Sequence, residues 1–153
     1  MRRPVVNKLR HKEFIGYQVY TTQRALARSL DSTLSPFGLT SGQWNALNQL
    51  NEYGDMTQKE LSVILRKEPA TVARLIDRLV KRGLVKRIPH PEDRRANIVG
   101  ITPEAAELLE EAEPHVADQA DFIAQGISDA DLNVFFDVLN TVRENAVKTV
   151  EDN

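Results

Sequence analysis

A mainly α-helical chain carrying one small β-wing is the fold class this sequence predicts, and three observations predict it. Apolar residues recur at spacings of three and four through most of the 153 positions. Capping pairs, prolines and glycines divide that pattern into separate helices. Two short runs alone, 85–88 and 97–101, read as strands, around the polar tip HPEDRR.

The elements follow in order. From about His11 to Leu34, Ile15, Val19, Thr22, Leu26 and Leu30 recur at helical spacing, with Phe14, Tyr17 and Tyr20 beside them. Pro36 and Gly38 break that helix. Thr40 and Gln43 form a capping-box pattern that opens a second helix, carrying Trp44, Leu47 and Leu50 and stopped by Gly54. Thr57 and Glu60 repeat the pattern for a short third helix, with Leu61, Ile64 and Leu65 as its inner side. The fourth helix starts near Glu68, with Pro69 suited to a first turn. Its inner stripe is Val72, Leu75, Ile76, Leu79 and Val80, and Gly83 fits its C-terminal cap. After the hairpin, Thr102 and Pro103 restart a helix that carries Ala105, Leu108, Leu109, Ala112, Val116, Ala120 and Ile123 to a break at Gly126. Ser128 and Asp131 cap a last helix, whose stripe runs through Leu132, Phe135, Phe136, Leu139, Val142, Ala146 and Val150. There is no internal repeat, low-complexity segment or flexible linker, so a single domain is expected over 1–153.

Composition narrows the class. Charged residues are 27% and hydrophobic residues 41%, ordinary for a soluble globular protein. No apolar run approaches the roughly 18 residues of a membrane span, so no membrane partner is expected. The segment MRRPVVNKLRHKEF has basic residues but no apolar core of signal-peptide length, so the expected location is cytoplasmic. Cysteine is absent, which removes disulfides, thiolate metal sites and cysteine redox sensing together. The net charge of −2 conceals a strong polarity. Between Arg66 and Arg95 there are ten Lys/Arg against four acids, whereas from Thr102 onward thirteen acids face only Arg143 and Lys148. One face can therefore attract phosphate while the rest repels it.

The basic block coincides with a helix, a second helix and a hairpin, the layout of a winged helix-turn-helix. Such a unit needs a helix with one buried face and an opposite polar face that reaches base edges. Thr71, Arg74 and Arg78, spaced by three and four, share a face away from the 72/76/79 stripe. Arg74 suits bidentate contact with guanine, and Ala70 and Thr71 near the helix start suit a thymine methyl or a phosphate. Arg78, Lys81 and Arg82, with Lys86 and Arg87 on the first strand, are the expected phosphate contacts. At the wing tip, Arg94 or Arg95 can enter a narrow minor groove, with Asp93 pairing with the Arg95 guanidinium to orient it.

At these residues the chain resembles the MarR family of bacterial transcription regulators, most closely its SlyA-like branch. The likeness rests on Gln43-Trp44, on LSVILRKEPATVARLIDRLVKRGLV, on Asp93-Arg94-Arg95 and on IVGIT. It implies a homodimer joined by the first helix and the last two, with 1–35 and 103–153 as dimerisation helices and 40–102 as the DNA-binding region. It implies an inverted-repeat operator in double-stranded DNA, with Arg74 facing the major groove and Arg95, held by Asp93, in the minor groove. It also implies a small aromatic carboxylate effector that weakens DNA binding. The cysteine of the family's peroxide-sensing branch is missing here. So is the tryptophan of an extra N-terminal helix in the urate-responsive branch, since Trp44 is the only tryptophan.

The other candidates read as structure. Trp44 is expected in packing, and Phe135 and Phe136 in a dimer core. Two long terminal apolar helices exceed what a small winged domain must cover, which independently favours dimerisation. His11, His90 and His115 lack metal-ligand spacing, and neither cofactor nor metal is expected. The acids of the fifth helix read as a solvated face. With no nucleophile, phosphate loop or histidine partner beside them, an enzyme is not expected. The functional expectation is a sequence-specific DNA-binding transcriptional regulator. Its alternative is a winged-helix interaction module contacting an acidic partner, disfavoured because 66–95 contains no aromatic residue.

Overall fold

The computed structural model describes residues 14–151. The expected helix start at His11 lies outside them. Helix α1 spans Ile15–Leu34 and ends in a 3-10 turn at Ser35–Phe37. It is followed by α2 (Ser41–Tyr53), β1 (Met56–Thr57), α3 (Gln58–Leu65) and α4 (Pro69–Lys81). Strands β2 (Val85–Pro89) and β3 (Asn97–Ile101), then helices α5 (Pro103–Ala124) and α6 (Asp129–Glu151), complete the chain. The fold is mainly helical with a small antiparallel sheet in the order β1-β3-β2. It forms two compact units, divided between Gln119 and Ala120.

In the first unit the helix ends follow from local chemistry. Both capping boxes form: the Thr40 hydroxyl accepts the Gln43 N–H at 3.2 Å and the Gln43 side-chain Oε1 accepts the Thr40 N–H at 3.1 Å. Thr57 and Glu60 make the same reciprocal pair. Helix α4 closes in a Schellman motif, with the Gly83 N–H on the Val80 carbonyl and the Leu84 N–H on the Leu79 carbonyl, both 2.9 Å. Gly83 takes the left-handed φ of 71° that this ending demands. Thr102 then joins two elements: its hydroxyl donates to the Gly83 carbonyl and accepts the Ala105 N–H at the start of α5.

Strand β1 was not among the expected strands. It pairs Met56 with Val99 and Thr57 with Ile98, so β3 is the central strand and not one arm of a free hairpin. Two residues carry little periodic signal, and their pairing is decided by the partner strand. Gly100 shows how closely the sheet is crossed: an added Cβ there would collide with the Asp55 carboxylate and the Lys86 stem. Those two groups form an ion pair at 3.2 Å over that glycine.

The core of this unit gathers Leu34, Trp44, Leu47, Leu50, Leu61, Val72, Ile76, Leu79 and Val99, together with Leu109 from α5. Trp44 is packed there, as expected. Burying side chains such as Ile76 contributes about 1.5–3 kcal/mol each. Ile64 departs from expectation and is 43% exposed. The inner face of α3 runs through Leu61, Ser62 and Leu65, and Ser62 is accommodated by donating its hydroxyl to the Lys59 carbonyl at 2.7 Å.

The second unit holds the end of α5 and all of α6. Ser128 caps α6 as expected, accepting the Asp131 N–H at 3.1 Å and donating to its carboxylate at 2.7 Å. Helix α6 contains no buried residue. Among the described residues no helix is long and apolar enough to cross a membrane.

Candidate nucleic-acid interface

Helix α4 divides cleanly by face. Val72, Ile76 and Leu79 are fully buried, while Ala70, Thr71, Arg74 and Arg78 are exposed. The inward stripe anchors the helix against α2 and α3, which leaves the polar face free of packing duties. Arg74 lies against Thr71, its guanidinium 3.5 Å from the hydroxyl and otherwise unengaged among the described residues. Beside this face, between the start of α2 and the outer side of α4, lies a cleft of about 150 Å³. Thr40, Gln43, Thr71, Arg74, Leu75 and Arg78 line it. The sequence presents Thr40 and Gln43 as a capping pair, not as neighbours of α4; their place beside two arginines depends on how α2 packs on α4.

The wing tip is built by side chains that accept backbone N–H groups. His90 Nδ1 accepts the N–H of Glu92 at 3.2 Å and of Asp93 at 3.1 Å. Asp93 Oδ1 accepts the Arg95 N–H at 2.9 Å. The expected pairing of Asp93 with the Arg95 guanidinium is therefore corrected. The carboxylate holds the Arg95 backbone, a short Asx-type turn that needs no long side chain to be immobilised. Arg94 and Arg95 are exposed, and neither guanidinium has a partner among the described residues. His90, which the sequence shows only as lacking metal-ligand spacing, is the organiser of the tip.

Three of the ten cations in 66–95, all three expected as phosphate contacts, have partners within the chain. The Arg82 guanidinium donates to the carbonyls of Gly38 and Phe37, bracing the turn after α1. Gly38 has φ 65° there, and an added Cβ would lie 3.1 Å from that guanidinium. Lys86 pairs with Asp55. Arg87 is held by Asp77 at 2.7 Å and by Gln58 at 3.0 Å. The acceptors come from the turn after α1 for Arg82, from Asp55 before β1 for Lys86, and from α3 and α4 for Arg87. The remaining seven cations, Arg66, Lys67, Arg74, Arg78, Lys81, Arg94 and Arg95, are exposed without an acidic partner among the described residues.

Glu60 has its carboxyl held below the ordinary glutamate range, first by the Thr57 backbone N–H and then by the Thr57 hydroxyl. Its charge is thereby committed to the N-terminus of α3, where the helix dipole also favours an anion.

A buried-backed helix with an open polar face, followed by an arginine-tipped wing, defines the winged helix-turn-helix class. The MarR family model matches residues 39–96, from the start of α2 to the wing tip. The uncharacterized HTH-type transcriptional regulator YwoH of Bacillus subtilis is 41% identical over 95 residues, covering 62% of this chain and 69% of that protein. The multiple antibiotic resistance protein MarR of Salmonella typhimurium is 31% identical over 97 residues, covering 63% and 67%. A crystal structure of a MarR variant from E. coli complexed with operator DNA superposes with a TM-score of 0.82 at 24% identity, over 90% of this chain and 99% of that one. That likeness shows the shared fold. The chain belongs to the MarR family, whose members are transcription regulators and not enzymes.

Proposed function

We propose that this chain is a sequence-specific, cytoplasmic DNA-binding regulator of the SlyA-like branch that occupies a pseudo-palindromic operator as a homodimer. The observation that carries the reading is the exposed Thr71/Arg74/Arg78 face of α4 together with the unpartnered Arg94 and Arg95 on a tip ordered by His90 and Asp93. A protein of the same fold has been solved in complex with operator DNA, which supports DNA as the partner of this chain. In this reading residues 40–102 form the DNA-binding region. Arg74 and Thr71 read the major groove, with Ala70 against a thymine methyl. Arg95 with Arg94 enters the minor groove, held through the Asp93 turn. Arg78 and Lys81 meet phosphates, and Lys86, half exposed at the end of its ion pair, can join them.

The support for a homodimer is apolar surface that the single chain leaves open. Ile15, Tyr17, Val19 and Tyr20 of α1 are exposed, as are Phe135, Phe136 and Val138 of α6. Stripes of this size mark association surfaces, and a second copy supplies the same stripes in matching number. Segments 1–35 and 103–153 are therefore assigned to dimerisation. A small aromatic carboxylate that weakens DNA binding is part of the proposal through the family resemblance.

The test is fluorescence anisotropy on the duplex flanking the protein's own gene and on a scrambled duplex, across a salt series. A preference of about a hundredfold or more, falling with salt, is expected of a specific regulator. Replacing Arg74 with Ala should cost about 1–3 kcal/mol on the native duplex and relax base choice at one position per half-site. Equal, weak binding to both duplexes defeats the proposal and favours a protein partner instead.

A further inference from the structure

We infer that Arg87 is a positioning residue, not a phosphate contact: with Asp77 and Gln58 it sets the orientation of the recognition helix α4 against the wing. The inference rests on the regulator reading above. Arg87 lies in the middle of β2, opposite Val99 of the central strand. Its Nε donates to Gln58 Oε1 at 3.0 Å, at the first residue of α3. One terminal nitrogen of its guanidinium donates to Asp77 Oδ1 at 2.7 Å, in the third turn of α4. A guanidinium presents its donors in a rigid planar fork. Two bonds from one such fork to two helices fix three elements relative to each other: the wing strand, the first helix of the motif and the helix that faces DNA.

Asp77 makes little sense otherwise. Helical geometry places it on the flank of the exposed face, three residues after Arg74 and one before Arg78. An uncompensated carboxylate beside a phosphate-facing surface opposes binding. Its pairing with Arg87 offsets that charge. Both side chains keep solvent access, 29% for Arg87 and 52% for Asp77. Exposed pairs contribute little to stability, so the consequence of this one is orientation more than folding free energy. Lys86 cannot substitute, because neighbouring residues on a strand point to opposite faces and its amine is on Asp55.

The two roles predict opposite signs. If Arg87 and Asp77 merely face DNA, Asp77→Asn removes a repulsive charge and tightens binding to every duplex. As a brace, Asp77→Asn and Arg87→Lys should each lower the preference for the native over the scrambled duplex by about tenfold, the scale of a lost charge-assisted pair. The salt dependence should stay unchanged, with melting temperatures close to wild type. The double variant should be no worse than either single one, since both break the same contact. Tighter binding by Asp77→Asn overturns the inference. So does wild-type preference in Arg87→Lys, or equal weakening on both duplexes. A wild-type protein without preference overturns the regulator reading itself, and the two failures are distinguished by which protein shows them.

Discussion

Helices α4 and α6 are both amphipathic, yet α4 buries Val72, Ile76 and Leu79 completely while α6 buries nothing. Along α6, Val134, Phe135, Phe136 and Val138 are each at least half exposed. The difference lies in what surrounds each stripe. That of α4 meets Leu47, Leu50, Leu61 and Val99, supplied by elements folded within the same unit. That of α6 meets no comparable set in its own unit. An apolar stripe demands cover at about 25 cal/mol per Å², but its periodicity does not say which chain provides it. For α4 the cover is intramolecular and serves to free the opposite face. For α6 the open stripe is the main physical argument that a second copy completes the protein.

Four substitutions break or sharpen that contrast. The largest effect is expected at Ile76. Ile76→Ala should lose about 2–5 kcal/mol through the cavity it leaves. Denaturant unfolding should show that loss at every protein concentration, because the cover belongs to the same chain. Phe136→Glu should act differently, weakening association by about 2 kcal/mol or more, as expected of a buried aromatic anchor. Sedimentation equilibrium should then show a lighter species, and the melting temperature should become more dependent on concentration. If mass and stability both stay at wild-type values, the contrast between the two helices has been misread.

Smaller effects concern the ends of α3, the helix that packs beneath α4. Glu60 has a lowered native pKa, so its cap stabilises the fold fully above the ordinary glutamate range. That contribution should disappear as pH falls from the ordinary range through the lowered native value. Glu60→Gln should remove this part of the acid dependence, checked by thermal melts below pH 5 or so, and should leave the neutral-pH oligomer mass unchanged. The smallest effect is expected at Arg66, which ends α3 with φ 51°. Arg66→Gly relieves about 1–2 kcal/mol of left-handed strain but adds unfolded-state freedom of about 0.5–1 kcal/mol. A net gain between about zero and 1.5 kcal/mol is therefore expected by chemical denaturation.

The helix limits were legible because they depend on atoms a few residues apart. Thr40 with Gln43, Thr57 with Glu60, and Ser128 with Asp131 make their bonds at a separation of three, so a residue pair in the text is nearly a statement of geometry. The buried stripe of α4 and its open face were legible for the same reason, since a fixed rise and turn convert spacing into direction. The part of the candidate site on α4 was therefore readable in advance.

What the tertiary structure alone decided lies at longer range. Strand β1 exists because Met56 and Thr57 find β3 some forty residues later, and two residues carry no period of their own. Ile64 faces outward because α3 packs through Leu61, Ser62 and Leu65, a choice of face that its neighbours make. Ser62 is tolerated there by its bond to the Lys59 carbonyl. The basic block looked uniform as text, yet Arg82 reaches back 44 residues to Gly38 and Arg87 reaches 29 to Gln58. Long cationic side chains pair with whatever acceptor the folded chain brings near, and no local pattern records which acceptor that is. By itself the sequence determined which segments are helices, which face of α4 stays open and that the wing ends in arginines. Only packing decided which cations remain free to meet a partner, because that choice is made by contacts between residues far apart in the chain.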